Sequence, residues 1–388
     1  AAGVPGNLIF VLGYSSSVRN SGTTISNNEL FNFTNSAIHF SSANSANENS
    51  TISGNTIYQT AASTAIVNGI SFYSLGASNT ISQNIIRDLS TSSTTYGIYI
   101  QDVGTVNVTR NRIYNLTSTS GSTSSLFGIF NIASSASTSY IVNNQISIIP
   151  GFTNDQNIYG IHNGTSSGAS SYVYYNSVYT GGTGSGTRKT YSWNDGSTAS
   201  TDILKNNLFV NSRSGGTGGH YAARHSGTAS ITDMTADNNV FIGNGATLGS
   251  NFELNATAKT FTQYKAAFTG SGKDANSYSL NSADVTIANL FSDVSTGNLN
   301  IITTNQEAWL VAGKGVQLGI AGLTDVDYNG NVRSTTIAGG KTSIGSHEFS
   351  LTGLPAPPDA TLSGSPSTST PTTISVNGRN KATITWFG

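Results

Sequence analysis

The 388-residue chain contains no cysteine. That absence excludes disulfide staples, cysteine-based metal sites and a cysteine nucleophile. Charge is scarce as well: Asp, Glu, Lys and Arg make up 9% of the residues, against roughly 25% in an average soluble domain. The formal net charge is -1, so nothing points to a polyanion such as nucleic acid as partner. No run approaches the roughly 18 apolar residues of a membrane helix, and no membrane span is expected. The N-terminus, AAGVPGNLIFVLGY, has neither an initiator Met nor a basic signal region, which reads as a processed or excised piece of a larger product. In place of charge stand Ser, Thr, Asn and 43 Gly. Such residues suit tight turns and side-chain-to-backbone hydrogen bonds and disfavour long helices.

Repeats dominate the organisation. Asn28, Asn55, Asn84, Asn111, Asn144, Asn176, Asn207 and Asn239 follow one another at intervals of 27, 29, 27, 33, 32, 31 and 32 residues. Three residues before each stands Ile25, Ile52, Ile81, Val108, Ile141, Val173, Leu204 or Ala236, and two after each stands Leu30, Ile57, Ile86, Ile113, Ile146, Val178, Phe209 or Phe241. All of these flanking positions are apolar in a chain that is 36% apolar, which excludes coincidence. Between the blocks a second strand recurs, with AIHF at Ala37, GISFY at Gly69, GIYIQ at Gly97, GIFNI at Gly128 and GIHN at Gly160, and weaker copies at Lys189 and His220. The pattern predicts an all-β chain, a right-handed parallel β-helix of about eight to ten coils of roughly 30 residues, with like residues stacked about 4.8 Å apart. In this reading Asn is chosen because it tolerates the left-handed corner between strands, and its amide forms a ladder up the stack. A β-sandwich would repeat every 8–12 residues without such a super-period.

From 260 to 349 the period fades. This stretch carries Asp325, Asp327, Gly330 and Arg333 in a D-x-D-x-x-G-x-x-R arrangement, followed by Ile344, Gly345 and Glu348. It resembles the closing module of secreted bacterial right-handed β-helix repeat proteins, the group labelled choice-of-anchor proteins. Ser343 and Ser346 depart from the family's usual Asp and Ala. The resemblance implies architecture and secretion; activity in that family is mixed. The expected division is therefore 1–259 coils, 260–350 terminal coils and closing module, 351–371 a Pro/Ser/Thr linker, and 372–388 a strand segment. That last segment alternates apolar residues, among them Ile374, Val376, Ile384 and Trp386, and is expected either to begin a following domain or to pair with another subunit.

Enzymes on this fold cleave uronic-acid polysaccharides, with acids at equivalent positions of adjacent coils. The aspartates of the coils here, Asp88, Asp102, Asp155, Asp195, Asp202, Asp233 and Asp237, are scattered and form no such pair in the sequence. The best candidate site is the Gly-Ile strand face where His162, then Lys189, Tyr191, Trp193 and Asp195, then His220, Tyr221, Arg224 and His225 fall on consecutive coils. Aromatic rings flanked by hydrogen-bonding groups suit sugar rings; the alternative is that these are ordinary outward residues of a weak repeat. A second column lies three residues past each Asn, at Phe31, Tyr58, Arg87, Tyr114, Ser147, Tyr179, Val210 and Ile242. Alternation turns it outward, either as a contact face or as a surface covered by loops. DVDYNG offers Asp325, Asp327 and Asn329 to a Ca²⁺ ion, but Thr336 stands where an EF-hand needs Glu. The alternative is a turn in which Asp327 or Glu348 pairs with Arg333 to seal the end of the stack. No other cofactor is expected. The function expected is that of an extracellular or cell-surface, non-catalytic stalk, adhesin or filament unit, whose partner is another copy or an extracellular polysaccharide. A polyuronate lyase or hydrolase, or a carbohydrate-binding module, stands as the rival.

Overall fold

The computed structural model describes residues 3–356 except 14, 16, 43–46, 74, 75, 77, 102, 103, 120–123, 135, 149–154, 197–199, 227–233, 246–248, 269–272 and 335–340. Asp102, Asp233 and Thr336, most of the proposed linker, and the segment 372–388 with Ile374, Val376, Ile384 and Trp386 lie outside the described residues. The chain is all-β, 50% strand and 6% helix, wound as a β-solenoid of about 7 turns spaced ~31 residues apart.

Three long sheets form its walls. The first holds the Gly-Ile strands, from Asn7–Gly13 through Ser36–Ser42, Val67–Tyr73, Thr95–Gln101, Ser125–Ile132, Asn157–Asn163, Thr190–Asp195 and His220–His225 to Phe252–Leu254. The second and third meet at the Asn corner, with Thr24–Ser26 and Glu29–Phe31 in the first turn and Met234–Asp237 and Val240–Gly243 in the last full one. Every strand pairs in parallel with its counterpart one turn on, so Ile25, Ile52, Ile81, Val108 and Ile141 stand in register. Ile57, Ile86, Ile113, Ile146, Val178, Phe209 and Phe241 line the third wall, and Ile38, Ile70, Ile98, Ile129, Ile161 and Trp193 the first. All of these except Ile25 are completely or almost completely shielded, at about 1.5–3 kcal/mol per side chain.

The glycine column has a steric cause. A Cβ on Gly97 would lie 2.6 Å from the Gly128 carbonyl oxygen and 2.6 Å from Ile113 Cγ2. In the turns of Gly69, Gly97, Gly128 and Gly160 the first wall approaches the apolar column of the third too closely for a side chain, whereas the small Ala37, Ser192 and Ala222 hold the same position in other turns. The close approach also breaks the alternation of the strand. The Gly position and the residue after it both face inward.

The Asn ladder is confirmed, with one correction to its conformation. The left-handed residue at each corner is the one before the ladder Asn: Asn27, Gly54, Gln83, Arg110, Asn143, Tyr175, Asn206 and Asn238 have φ between 53° and 66°. That leaves the ladder Asn free to turn its amide inward along the stack. Asn111 Oδ1 accepts both the backbone N–H (3.1 Å) and the Nδ2 (3.0 Å) of Asn84, while its own Nδ2 donates to Ile81 O (2.9 Å) and Asn144 Oδ1 (3.1 Å). The same pattern runs from Asn28 to Asn239, whose N–H ends the ladder on Ser277 Oγ at 2.8 Å.

The stretch 260–350 adds only Tyr278–Asn281 to the third sheet. Its first part caps the solenoid. Phe252–Leu254 turns back as an antiparallel hairpin with Thr257–Lys259, and the helix Phe261–Ala266 follows with a Thr260/Gln263 capping box. Phe261 and Tyr264 stack on Phe252, and Phe268 packs on Tyr264, closing the core. The remainder does not seal the end, as the turn reading had it. It folds back along the flank. Val285, Leu290, Phe291, Leu299, Ile301, Leu310, Val311 and Ile344 bury Tyr179, Leu208, Val210, Val240 and Ile242. The later part of the outward column is thus covered by this module rather than by loops, while Phe31 and Tyr58 remain stacked in the open with Arg87 over the Tyr58 ring. The left-handed corner residues supply the polar tethers. Asn143 Nδ2 donates to Leu323 O and Val326 O, Asn206 Nδ2 to Val316 O and Asn238 Nδ2 to Lys314 O. Arg333, shielded from solvent, lies 3.7 Å from the Tyr175 ring and bonds Glu348 at 3.2 Å.

Two outcomes follow for stability. Replacing Asn111 by Leu strands both Asn84 donors and the Ile81 carbonyl; at about 1–3 kcal/mol per orphaned group, the loss is about 3 kcal/mol or more. Asn28→Leu, at the end of the ladder where no described residue donates to its Oδ1, costs about 1 kcal/mol. Urea unfolding of both variants checks this, and equal losses would contradict the ladder's role. The second outcome concerns Asp274, fully shielded beside Asn239 and Ser277, whose carboxyl is pushed up to about 6 by burial. A raised carboxyl favours folding below pH 4, and that contribution fades as pH rises through 6. Asp274→Asn is therefore expected to gain about 1–3 kcal/mol over the parent at pH 8 and nothing at pH 4, read from urea midpoints at the two pH values.

Candidate functional site

The outer face of the first wall carries two rows of side chains. In one, Tyr96, Phe127, Tyr159, Tyr191 and Tyr221 occupy the position before the glycine column and stand in register. Their rings stack at centroid distances of 4.9, 4.6, 5.6 and 5.8 Å. In the other, three residues further along each strand, Tyr99, Phe130 and His162 stack at 5.3 and 4.7 Å, and the row continues as Asn194, Arg224 and Glu253. The rows meet edge to face, with Phe127 against Phe130 at 4.7 Å. Each ring therefore spends its faces on its neighbours and offers solvent mainly an edge or a hydroxyl.

Towards the capped end the rows open into a shallow cleft of about 320 Å³, lined by Asn157, Tyr159, Arg188, Lys189, Tyr191, Arg224 and Glu253 among others. Glu253 is its organising residue. Its carboxylate is almost wholly shielded and receives Lys189 Nζ, Tyr191 OH at 3.0 Å and Arg224 Nε at 3.0 Å. A buried carboxylate requires such partners, and here three groups supply them. Arg224 also donates to Asn194 Oδ1 at 2.8 Å and lies over the Tyr191 ring. Burial, then the Glu253 charge, raises the Tyr191 phenol, which stays a neutral donor. Asp155 accepts the Thr187 and Arg188 backbone N–H groups at 3.0 and 2.8 Å and so shapes the rim.

The residues proposed from sequence divide between this face and the interior. His162, Lys189, Tyr191, Tyr221 and Arg224 share the outer face. Trp193 does not: it is completely buried against Phe209, because the glycine position, Ser192 in this strand, resets the alternation and turns the next residue inward. Asp195 and His225 also face inward and pair with each other through Oδ2 and Nδ1. They belong to a polar interior patch in which Asn131 donates to Asn163, and Asn163 to Asp202. His220 is buried as well: its Nε2 donates to Gly215 O at 3.0 Å, so its Nδ1 accepts the Thr190 hydroxyl at 2.9 Å. Sequence reasoning missed Tyr96, Tyr99, Phe127, Phe130, Tyr159, Asn194 and Glu253. The recurrence of an aromatic immediately before the glycine position, every 30 to 32 residues from Tyr96 to Tyr221, was the signal for the first row. Nothing in the sequence pointed to Glu253, which joins the site only through the pairing of Phe252–Leu254 with His220–His225.

Comparison with protein-family models, with curated proteins and with solved structures finds no match. The chemistry of the site thus rests on its own geometry.

The three residues proposed for Ca²⁺ separate. Asp327 is buried, with Oδ1 accepting the Asn331 N–H at 2.8 Å and Oδ2 accepting Asn331 Nδ2 at 3.1 Å and the Glu348 N–H at 2.9 Å. Asp325 is exposed and takes part through its carbonyl oxygen, which accepts the Arg333 N–H; Asn329 donates to Asn300. The loop is a turn held by its own side chains. Among the described residues no group of three or more His, Asp or Glu is placed to share one ion. No helix among them is long and apolar enough to cross a membrane.

His162 provides a test of the outer row. Burial, with a smaller contribution from Arg224 opposed by Asp195, pushes its imidazole down to about 4. A depressed histidine favours folding above pH 6.5, and that contribution is lost as pH falls towards 4. The parent is expected to lose on the order of 2 kcal/mol from this group between pH 7 and 4. His162→Phe, which keeps a ring on Phe130, removes that part of the acid slope in urea titrations.

Proposed function

We propose that this chain is an extracellular, non-catalytic structural protein of a cell surface, a rigid stalk, adhesin or filament unit. The observation that carries the proposal is the use made of the outer face of the first wall. Its rings stack on one another, and the one buried acid in the cleft, Glu253, is neutralised by Lys189 and Arg224. Hydrolysis of a glycosidic bond calls for two carboxyl groups facing the substrate, one to protonate the leaving group and one to activate water or attack. The buried acids Asp195 and Asp202 turn into the solenoid interior. Low charge, an abundance of Ser, Thr, Asn and Gly, and the resemblance of 260–349 to the closing module of secreted β-helix proteins support display outside the cell.

A second reading, glycan recognition without turnover, is favoured by the cleft itself, where Arg188, Lys189 and Arg224 meet Tyr159 and Tyr191. Binding there would use hydrogen bonds and charge at the rim rather than stacking on a flat ring, since the ring faces are occupied.

Incubation with pectin, polygalacturonate and alginate, with and without Ca²⁺, is expected to release no unsaturated or reducing-end oligosaccharides. Release abolished by Arg224→Ala or Lys189→Ala would overturn the structural reading and make the cleft an active site. Calorimetric binding of oligosaccharides without turnover, weakened at least tenfold by Arg224→Ala, would establish the second reading.

A further inference from the structure

The cleft on the outer face of the first wall holds more positive charge than its buried acid needs. Arg188, Lys189 and Arg224 all line it, and Glu253 pairs with the last two. The other acid of the rim, Asp155, gives its carboxylate to the backbone N–H groups of Thr187 and Arg188, and its charge acts on the buried Arg213. The Arg188 guanidinium is left without a partner among the described residues, half-buried at the cleft wall. A cleft with one sign of charge in excess concentrates ligands of the opposite sign.

Two neutral groups stand beside Arg188 in the same condition. The Tyr159 hydroxyl and the Asn157 amide line the cleft with no hydrogen-bond partner among the described residues. Burial raises the Tyr159 phenol, and both Arg224 and Arg188 act on it in the opposite direction, which puts the two guanidinium groups near its hydroxyl. Arg224 and Lys189 also keep N–H donors beyond those given to Glu253 and Asn194. The ring faces are closed. Tyr159 lies between Phe127 and Tyr191 at 4.6 and 5.6 Å, and Tyr191 meets Tyr221 at 5.8 Å. A ligand in this cleft is therefore held by charge and hydrogen bonds, and stacking contributes little. An extended peptide finds no seat. The strands Asn157–Asn163, Thr190–Asp195 and His220–His225 are paired along both edges, so they offer no free backbone ladder. Among the described residues that line the cleft, Ala256 is the one aliphatic side chain, so no apolar pocket awaits a peptide side chain.

We propose that the cleft binds an anionic saccharide, a sugar ring carrying a carboxylate or a sulfate, and that Arg188 is the residue that reads the charge. Arg188 and the outer N–H groups of Arg224 take the anionic group in charge-assisted hydrogen bonds. Tyr159 OH and the Asn157 amide, which supplies both donor and acceptor, meet ring hydroxyls. Lys189 and Arg224 keep Glu253 satisfied throughout. The cleft volume of about 320 Å³ lies at the lower end of the roughly 300–1,000 Å³ of ligand sites, which suits a single ring and its substituents. A neutral sugar has neither the charge nor an open ring face to hold it here. The inference rests on the second reading above, glycan recognition without turnover, and adds the charge of the ligand and the side chain that selects it.

Arg188→Ala removes a guanidinium that holds nothing else, so Glu253 keeps its partners and the far-UV spectrum and melting profile are expected to be unchanged. Arg188→Gln, which retains most of the stem, is the second variant. Calorimetry on the full chain compares trigalacturonate, sulfated galactotriose, neutral galactotriose and hexaglutamate. At least one of the two anionic sugars is expected to bind about tenfold or more tighter than galactotriose, and to lose about tenfold or more in both Arg188 variants. Its affinity is expected to fall as NaCl rises from about 0.05 to about 0.5 M. Lys205→Ala, a charge removed from the second wall, is expected to leave binding as it was. The two anionic arms then separate carboxylate from sulfate. Galactotriose binding as tightly as its charged counterparts overturns the proposal and leaves glycan recognition standing. Binding undiminished in both Arg188 variants overturns the assignment of the residue and of the site's charge. Hexaglutamate bound as tightly as the charged sugars overturns the saccharide in favour of an acidic peptide. No binding of any sugar overturns both the proposal and the reading beneath it.

Discussion

The stacking of like on like at the strand spacing is the constraint on which the rest of this molecule depends. No single turn buries enough apolar surface to fold alone, so each wall exists only because the next turn repeats it. The Asn ladder is where this demand is sharpest. An interior corner leaves backbone N–H and C=O groups away from water, and one amide per turn, with two acceptor lone pairs and two donors, satisfies them along the column. The neighbouring left-handed residue makes this possible by absorbing the turn of the chain, which keeps the Asn side chain aligned with the axis.

The same corners explain how the C-terminal module docks. A residue in the left-handed region points its side chain away from the stack. In the first turns these positions hold Asn27, Gly54, Gln83 and Arg110; under the module they hold Asn143, Tyr175, Asn206 and Asn238. The amides bind carbonyls of the module, and Tyr175 receives the Arg333 guanidinium on its ring and donates to Val316 O at 2.6 Å. One column of corners thus serves the interior through the ladder and the exterior through its neighbour. Arg333 is buried with its charge met by Glu348 and by the Tyr175 ring, an arrangement that fixes the register of the module on the flank as much as it stabilises it.

The outer face of the first wall shows the cost of stacking for chemistry. Parallel in-register strands place identical residue types one above another, and aromatic rings in such rows cover each other's faces. Where the row changes character, from Tyr99, Phe130 and His162 to Asn194, Arg224 and Glu253, a cleft with directed hydrogen-bonding groups appears. Charge is so sparse in this chain that its gathering at Arg188, Lys189, Arg224 and Glu253 marks a part of that face where polar recognition has the groups it needs.

Much of the solenoid was legible in the sequence, because its rules are local and repeated: the coil period, the inward apolar columns and the Asn column follow from spacing, and each turn confirms the one before. The site was legible only in part. His162, Lys189, Tyr191, Tyr221 and Arg224 could be placed on one face, but Trp193, Asp195 and His225 could not be separated from them, since simple alternation does not register the kink imposed where the first wall touches the isoleucine column. His220, which precedes the kink, faces inward by its single step from Tyr221. Tertiary structure alone decided the rest. It brought Glu253 under Lys189, 64 residues apart, and it laid the stretch after Leu280 along the flank instead of on the end. Sequence by itself determined what stacks, because stacking repeats a short-range pattern. Which non-repeating segment packs against which wall depends on apolar surfaces meeting across long separations, where no period exists to be read.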